Sequence, residues 1–288
     1  MATEPTSEFV RSRPAAPLRP FVAWYGGYRE TGGAPGSHRG LPSPHLTLII
    51  TLDDPLVMAA HPDPRTPPGR YDTLLGGLHT APAFIRHDGR QSGVQVALSP
   101  LGARALLGLP AGELASTDVD AGEVWGPFAR ELRDRVLAAD GWQQRFTVLD
   151  GLLLRRIDAD VCLAPEVVRA WRRVVGSAGG VPVSAIAREV GWSGRYLSRR
   201  FAVEIGLTPK AAARVARFDR ARRLLQRAAG TGGNPGLATL AATCGYYDQA
   251  HLAREFGAFA GCSPSGWLAE EFRNIQAFTG APLPGSVA

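Results

Sequence analysis

Arg195, Ser198 and Arg199 fall on one face of a short helical pattern whose other face carries Leu197 and Phe201. Arginines grouped in this way suit an anion. A guanidinium offers a fork of N–H donors that fits phosphate oxygens or the O6 and N7 edge of guanine. The other residue types able to do chemistry are scattered. His61-Pro62-Asp63, His79 and His87 could supply metal ligands, yet their spacing matches no ligand motif and no cysteine pair assists them. Residues 230–236 are glycine-rich but lack the Lys-Ser/Thr that a phosphate-cradling loop requires, and no Gly-x-Ser-x-Gly nucleophile elbow occurs. The sequence therefore predicts no enzyme, no cofactor and no metal, and a metal-dependent enzyme fused to the basic segment is the weakest reading.

The arginines depend on a particular set of elements. Residues 183–190 predict a short helix with Val183, Ile186, Ala187 and Val190 inward. Gly191 stops it, and Ser193 is placed to cap a following helix that runs to about Ile205. An apolar helix, a glycine turn and a basic helix make a helix-turn-helix pattern. The pattern occurs twice. Residues 237–244 predict another short helix, Gly245 its stop, and residues 248–259 a helix burying Leu252 and Phe256. The first unit closes on Gly206-Leu207-Thr208-Pro209 and the second on Gly261-Cys262-Ser263-Pro264, 55 residues later; Phe201 and Phe256 are 55 apart, and Gly191 and Gly245 54. Between the units, residues 210–228 predict a helix of about 27 Å, which would set two reading helices roughly one DNA turn (~34 Å) apart.

With these residues in view, the segment 165–272 resembles the DNA-binding domain of the AraC/XylS family of transcription regulators. The matching stretches are Val183 to Gly191, Ser193, Tyr196-Leu-Ser-Arg-Arg-Phe201 and Gly206 to Pro209, then Leu240 to Tyr246, Gln249, His251-Leu-Ala-Arg-Glu-Phe256 and Gly261 to Pro264. The resemblance implies two helix-turn-helix subdomains joined by a long helix and acting in the major groove of double-stranded DNA. It places base-reading positions at Arg195, Ser198 and Arg199, with Tyr196 nearby, and at Gln249, Ala250, Ala253 and Arg254. Gln249 fits adenine, Arg254 guanine or phosphate, and the two alanines at most a thymine methyl. Arg200 reads as a phosphate clamp or a surface charge, and His251 as a phosphate contact or a packing group. The chain departs from the family in carrying Trp267-Leu268 where a Tyr-Arg pair is common, and in the loose lead-in over residues 230–236.

The whole chain of 288 residues suits two domains of ordinary size. Its charge is divided: residues 1–160 carry a net −2 and residues 161–288 a net +8, which directs the second part toward a polyanion. The expected fold class is α+β. Residues 1–17 read as a flexible tail, 18–125 as a β-rich sensor domain and 126–160 as a helical connector or dimerisation segment. Residues 161–274 read as an all-α double helix-turn-helix domain and 275–288 as a second tail. Strands are expected over 46–52 and 94–98, with a short helix near 103–107. Residues 1–20 contain no continuous apolar segment and do not read as a secretory signal, and no uncharged apolar run approaches a membrane span. The widely spaced Cys162, Cys244 and Cys262 suit a reduced, cytoplasmic setting. Residues 93–110 are similar to the front domains of some AraC-type regulators, which implies a sensing or dimerising role. Trp24, Tyr25, Tyr28, His45 and Phe84 are the candidate effector contacts, each with an ordinary core or surface role as its alternative. The partners expected are DNA, RNA polymerase, a small-molecule effector and a second copy of the chain. A DNA-associated accessory protein without effector control is the alternative function.

Overall fold

The computed structural model describes residues 6–158, 160–231 and 236–270. Strands β1 (Thr6–Ser12), β2 (Val22–Thr31), β4 (Leu46–Thr51), β7 (Thr73–Gly76), β9 (Gln91–Leu98) and β10 (Asp118–Asp120) form an antiparallel sheet ordered β1-β2-β9-β4-β7-β10. A smaller antiparallel sheet, β3-β8-β5-β6, contains β3 (Gly36–Gly40), β5 (Leu56–Ala60), β6 (Gly69–Tyr71) and β8 (Ala83–His87). Alternation decides which way each strand faces. Leu46, Leu48 and Ile50 of β4 stand opposite Leu98, Val96 and Val94 of β9, and all six are buried on one face. Helices α1 (Ala103–Leu107), α2 (Ala121–Trp125), α3 (Pro127–Ala138) and α4 (Gly141–Arg156) cover that face, adding Leu132, Val136, Phe146, Leu149 and Leu153 to the core. The other face meets the small sheet through Ile49, Leu74, Met58 and Ala83. Gly141, with φ at +72°, turns the chain sharply between α3 and α4.

One expectation is corrected. The segment 1–17 contains β1, which pairs with β2 from Thr6↔Thr31 through Ser12↔Tyr25. Its proline and charge content suggested a tail, but Val10 packs against the core and the edge of β2 supplies backbone partners. The expected tail at 275–288 and part of the lead-in, residues 232–235, lie outside the described residues.

The C-terminal region is helical: α5 (Pro165–Gly176), α6 (Val183–Glu189), α7 (Gly194–Ile205), α8 (Pro209–Gly230), α9 (Leu237–Thr243) and α10 (Gln249–Ala260), with residues 264–270 helical again. Trp171, Ile186, Leu197, Phe201, Phe218, Leu252, Phe256 and Trp267 share one core. Trp267 lies 5.7 Å from the Phe256 ring and packs into that core. The two regions are joined by more than the chain. Leu78, after β7, is fully buried in the helical core. The 3-10 turn Ala111–Leu114 lies against α7, and a Cβ on Gly112 would come within 2.3 Å of the Val203 carbonyl oxygen, so glycine alone fits there. Arg104 of α1 grips Glu204 of α7 with two bonds, Nε to Oε2 at 2.7 Å and Nη2 to Oε1 at 3.0 Å. Among the described residues, no helix is long and apolar enough to cross a membrane.

Candidate nucleic-acid interface

Both helix-turn-helix units are built by the same local devices. Gly191 and Gly245 take φ values of +73° and +74°, a left-handed turn that other residues adopt only under strain. The next helix is then capped. Ser193 Oγ accepts the Tyr196 N–H at 3.2 Å, and Asp248 Oδ1 accepts the His251 N–H at 2.6 Å. An aromatic residue follows each turn glycine and packs edge-on against the third residue of its helix: Trp192 on Tyr196 at 4.8 Å, Tyr246 on His251 at 5.2 Å. Left-handed Gly206 and Gly261 end α7 and α10. The inward faces are sealed, since Leu197, Phe201, Leu252 and Phe256 are all fully buried.

The outward faces carry the expected polar residues. On α7, Arg195 and Arg199 are exposed and Ser198 and Arg200 half-buried; on α10, Gln249, Ala250 and Arg254 are exposed and His251 and Ala253 half-buried. Arg199 lies 5.4 Å over the Tyr196 ring, which limits the directions its guanidinium can take. Ser198 donates its hydroxyl proton to the Gly194 carbonyl at 2.8 Å and keeps its oxygen lone pairs as acceptors. His251 Nδ1 accepts the Tyr247 N–H at 3.3 Å, so this ring has a structural task.

Charge balance separates these arginines from their neighbours. Arg173 pairs with Glu189 and Arg214 with Glu255 at 3.0 and 2.5 Å. Among the described residues, Arg195, Arg199, Arg200 and Arg254 have no carboxylate partner. Sequence reasoning missed Trp192, Tyr246 and Tyr247. An aromatic directly after each turn glycine was the available signal for the first two. Tyr247 is the one extra residue in the second turn and is 93% exposed.

The five candidate effector residues do not converge on one pocket. Tyr25 is fully buried, stacks on Phe146 at 5.8 Å and donates its hydroxyl proton to Asp150 at 2.9 Å, so it is a core residue facing α4. Burial, with Asp150 adding to it, pushes its phenol pKa up. Tyr28 is held similarly by burial beside Glu30. Phe84 lies under the Arg39 guanidinium at 5.6 Å and near Gly261 of the second unit. Trp24 and His45 do share surroundings, because Arg11 lies 4.3 Å over the Trp24 ring and within electrostatic reach of His45. Among the described residues, no group of three or more His, Cys, Asp or Glu could hold a metal ion.

A family model covers both helix-turn-helix units. Residues 186–270 match a family model described as a helix-turn-helix domain, and residues 10–120 match one described as a domain of unknown function (DUF6597). Among solved structures the chain is similar to ToxT from Vibrio cholerae O395, at 8% identity over 92% of this chain and 97% of that one, with a TM-score of 0.48. It is similar to wild-type ToxT of V. cholerae strain SCE256 with bound unsaturated fatty acid, at 8% identity over 94% and 97%, TM-score 0.48. The C-terminal domain of AraT, a response regulator from Geobacillus stearothermophilus, is 20% identical over 44% of this chain and 94% of that one, TM-score 0.32. No curated protein matches the sequence. Two capped helices with unpaired outward arginines lie within a segment that matches a helix-turn-helix model, so residues 186–270 form a helix-turn-helix domain of the kind that binds DNA.

Proposed function

We propose that the chain recognises a specific operator by laying α7 and α10 into successive stretches of the major groove, under control of its N-terminal region. The observation that carries this is the set of arginines without acid partners on the exposed faces of the two capped helices. In this reading Arg199 and Arg195 take guanine edges, Gln249 takes adenine, and Ser198 and Arg254 complete the base contacts. Ala250 and Ala253 allow close approach, while Tyr196, Arg200 and His251 hold phosphates. Helix α8 has 22 residues, more than its sequence pattern predicts, and spans about 33 Å. That length suits two groove segments one turn apart. Control passes through the surfaces of the N-terminal region that bear on α7 and α8, in response to a small-molecule effector or to pairing with a second copy. Transcription then changes through contact with RNA polymerase or obstruction of it, in the cytoplasm.

The test is selection of bound sequences from a random duplex pool, with R199A alongside at several salt concentrations. The wild-type protein should enrich one shared site. R199A should relax one or two positions of it, at a cost of about 1–3 kcal/mol. Equal binding to every duplex, unchanged in R199A, would leave a non-specific DNA-associated protein instead.

A further inference from the structure

Helix α8 turns a charged stripe toward the N-terminal region. Asp219, Arg220, Arg223 and Arg227 share that stripe by helical spacing, and with Pro44 and His45 they line a cleft of about 480 Å³. Val175 of α5, with Ala216 and Leu224, supplies an apolar wall. The volume lies within the roughly 300–1,000 Å³ of pockets that hold small molecules.

The charge around this cleft does not balance. Asp219 is its acid, and both carboxylate oxygens are taken, Oδ1 by Arg222 at 2.7 Å and Oδ2 by Arg223 at 2.8 Å. Burial works against that charge, but the two guanidiniums outweigh it and hold the carboxyl below its ordinary range. Nothing is left for Arg11, which β1 brings to the same place. Its Nε is buried without a hydrogen-bond partner, and burial with Arg223 and Arg222 nearby drags its pKa to about 10. Among the described residues, Arg220 and Arg227 have no carboxylate partner either. His45 adds no positive charge, because burial lowers its pKa to about 4. Five guanidiniums therefore gather around one carboxylate whose oxygens are already engaged. Arg11, partly buried and without a carboxylate, and the exposed Arg220 and Arg227 are thus left unneutralised around the cleft, and an anion entering it would meet their charge and offset the cost of burying Arg11.

We propose that this cleft binds a small organic dianion, a phosphate monoester or a dicarboxylate, with a short apolar portion lying on Val175 and Leu224. A single negative charge would leave most of the surplus in place, whereas a compact dianionic head meets Arg11, Arg223 and Arg227 together. The ligand would tie β1 and the segment before β4 to the helix that separates the two readers. It therefore names the effector class and its position for the control proposed above, and rests on that reading.

Calorimetry on the full-length protein without DNA tests it, with hexyl phosphate, hexylmalonate and hexan-1-ol as probes. At least one dianion should bind, and the alcohol should give no heat. The double variant Arg220→Gln/Arg227→Gln, which removes exposed and unpaired groups that the fold does not need, should weaken binding about tenfold or more. Arg11→Gln should do the same, and Arg173→Gln, a surface pair elsewhere, should not. Binding of the phosphate alone, or of the malonate alone, identifies the head group. Absence of heat with both dianions, equal affinity in the variants, or equal affinity for the alcohol would overturn the assignment. Because DNA is left out, failure here leaves the operator reading standing, and failure of R199A to alter selectivity leaves this result intact.

Discussion

Removing Arg104 should loosen the hold of the N-terminal region on α7 without touching the arginine face proposed to meet DNA. The Glu204 carboxylate is 7% exposed and receives both of its bonds from this one guanidinium, which is itself 36% exposed. Truncating one partner of a fully buried pair costs about 3–5 kcal/mol, because the other charge is stranded. Water reaches the Arg104 side, so about 2 kcal/mol is a fair value for Arg104→Ala. Glu204→Gln keeps the shape and leaves a guanidinium that can turn to solvent, so about 1 kcal/mol is expected. The double variant should then cost about 1 kcal/mol less than the two singles together. Urea unfolding of all four proteins supplies the cycle. DNA affinity supplies the second reading: if half of the lost energy bears on the position of α7, affinity for the selected operator changes about fivefold. An Arg104→Ala protein with unaltered midpoint and unaltered operator affinity would refute the claim that this pair couples the two regions.

The caps and the buried histidines give two more expectations. Ser193→Ala and Asp248→Ala each delete the oxygen that accepts the first free N–H of a reading helix, and each should lower stability by about 1 kcal/mol in thermal unfolding. A Ser193→Gly protein should lose only a few tenths, and equal losses in the alanine and glycine variants would remove the capping explanation. His45 and His38 are both lowered to about 4, His45 by burial and then the nearby arginines against the opposing Asp219, His38 by burial and then His87. The unfolded chain, with histidine near ~6.5, therefore takes up these protons first as pH falls. Stability is lost between about pH 6.5 and pH 4, by roughly 2 kcal/mol for each histidine at pH 5. Urea midpoints at pH 5 and pH 7.5 check this, and a His45→Gln protein with the same pH slope as the parent would rule out the His45 share.

Most of the reader was legible in the sequence because its constraints are local. Gly191 and Gly245 mark left-handed turns, Ser193 and Asp248 mark caps, and Leu197, Phe201, Leu252 and Phe256 keep a four-residue spacing that only a helix can bury on one side. The strand at Leu46–Thr51 was legible for a similar reason, its period of two. β1 was not. Its sequence mixes serine, glutamate and arginine, and it is a strand because the β2 edge completes its hydrogen bonds, which is a fact about partners 13 to 25 residues away along the chain. The effector candidates failed to converge for the same kind of reason. An aromatic residue announces bulk but not direction, and only the sheet register turns Tyr25 to α4 and brings Trp24 under Arg11.

The junction between the regions shows what such distant constraints achieve. Helix α7 is used twice along its 12 residues: Arg195 to Arg199 face outward, while Val203 and Glu204, one turn later, meet Gly112 and Arg104. A helix of this length moves as a rod. Displacing its C-terminal turn by about an ångström would therefore shift the arginines as well, and in the operator reading proposed above that shift would disturb the planar fit of a guanidinium on guanine. The same sequence run that reads as a DNA-binding helix is thus also the contact through which the N-terminal region would set its position, and the small residue at 112 is what brings the two backbones close enough for that.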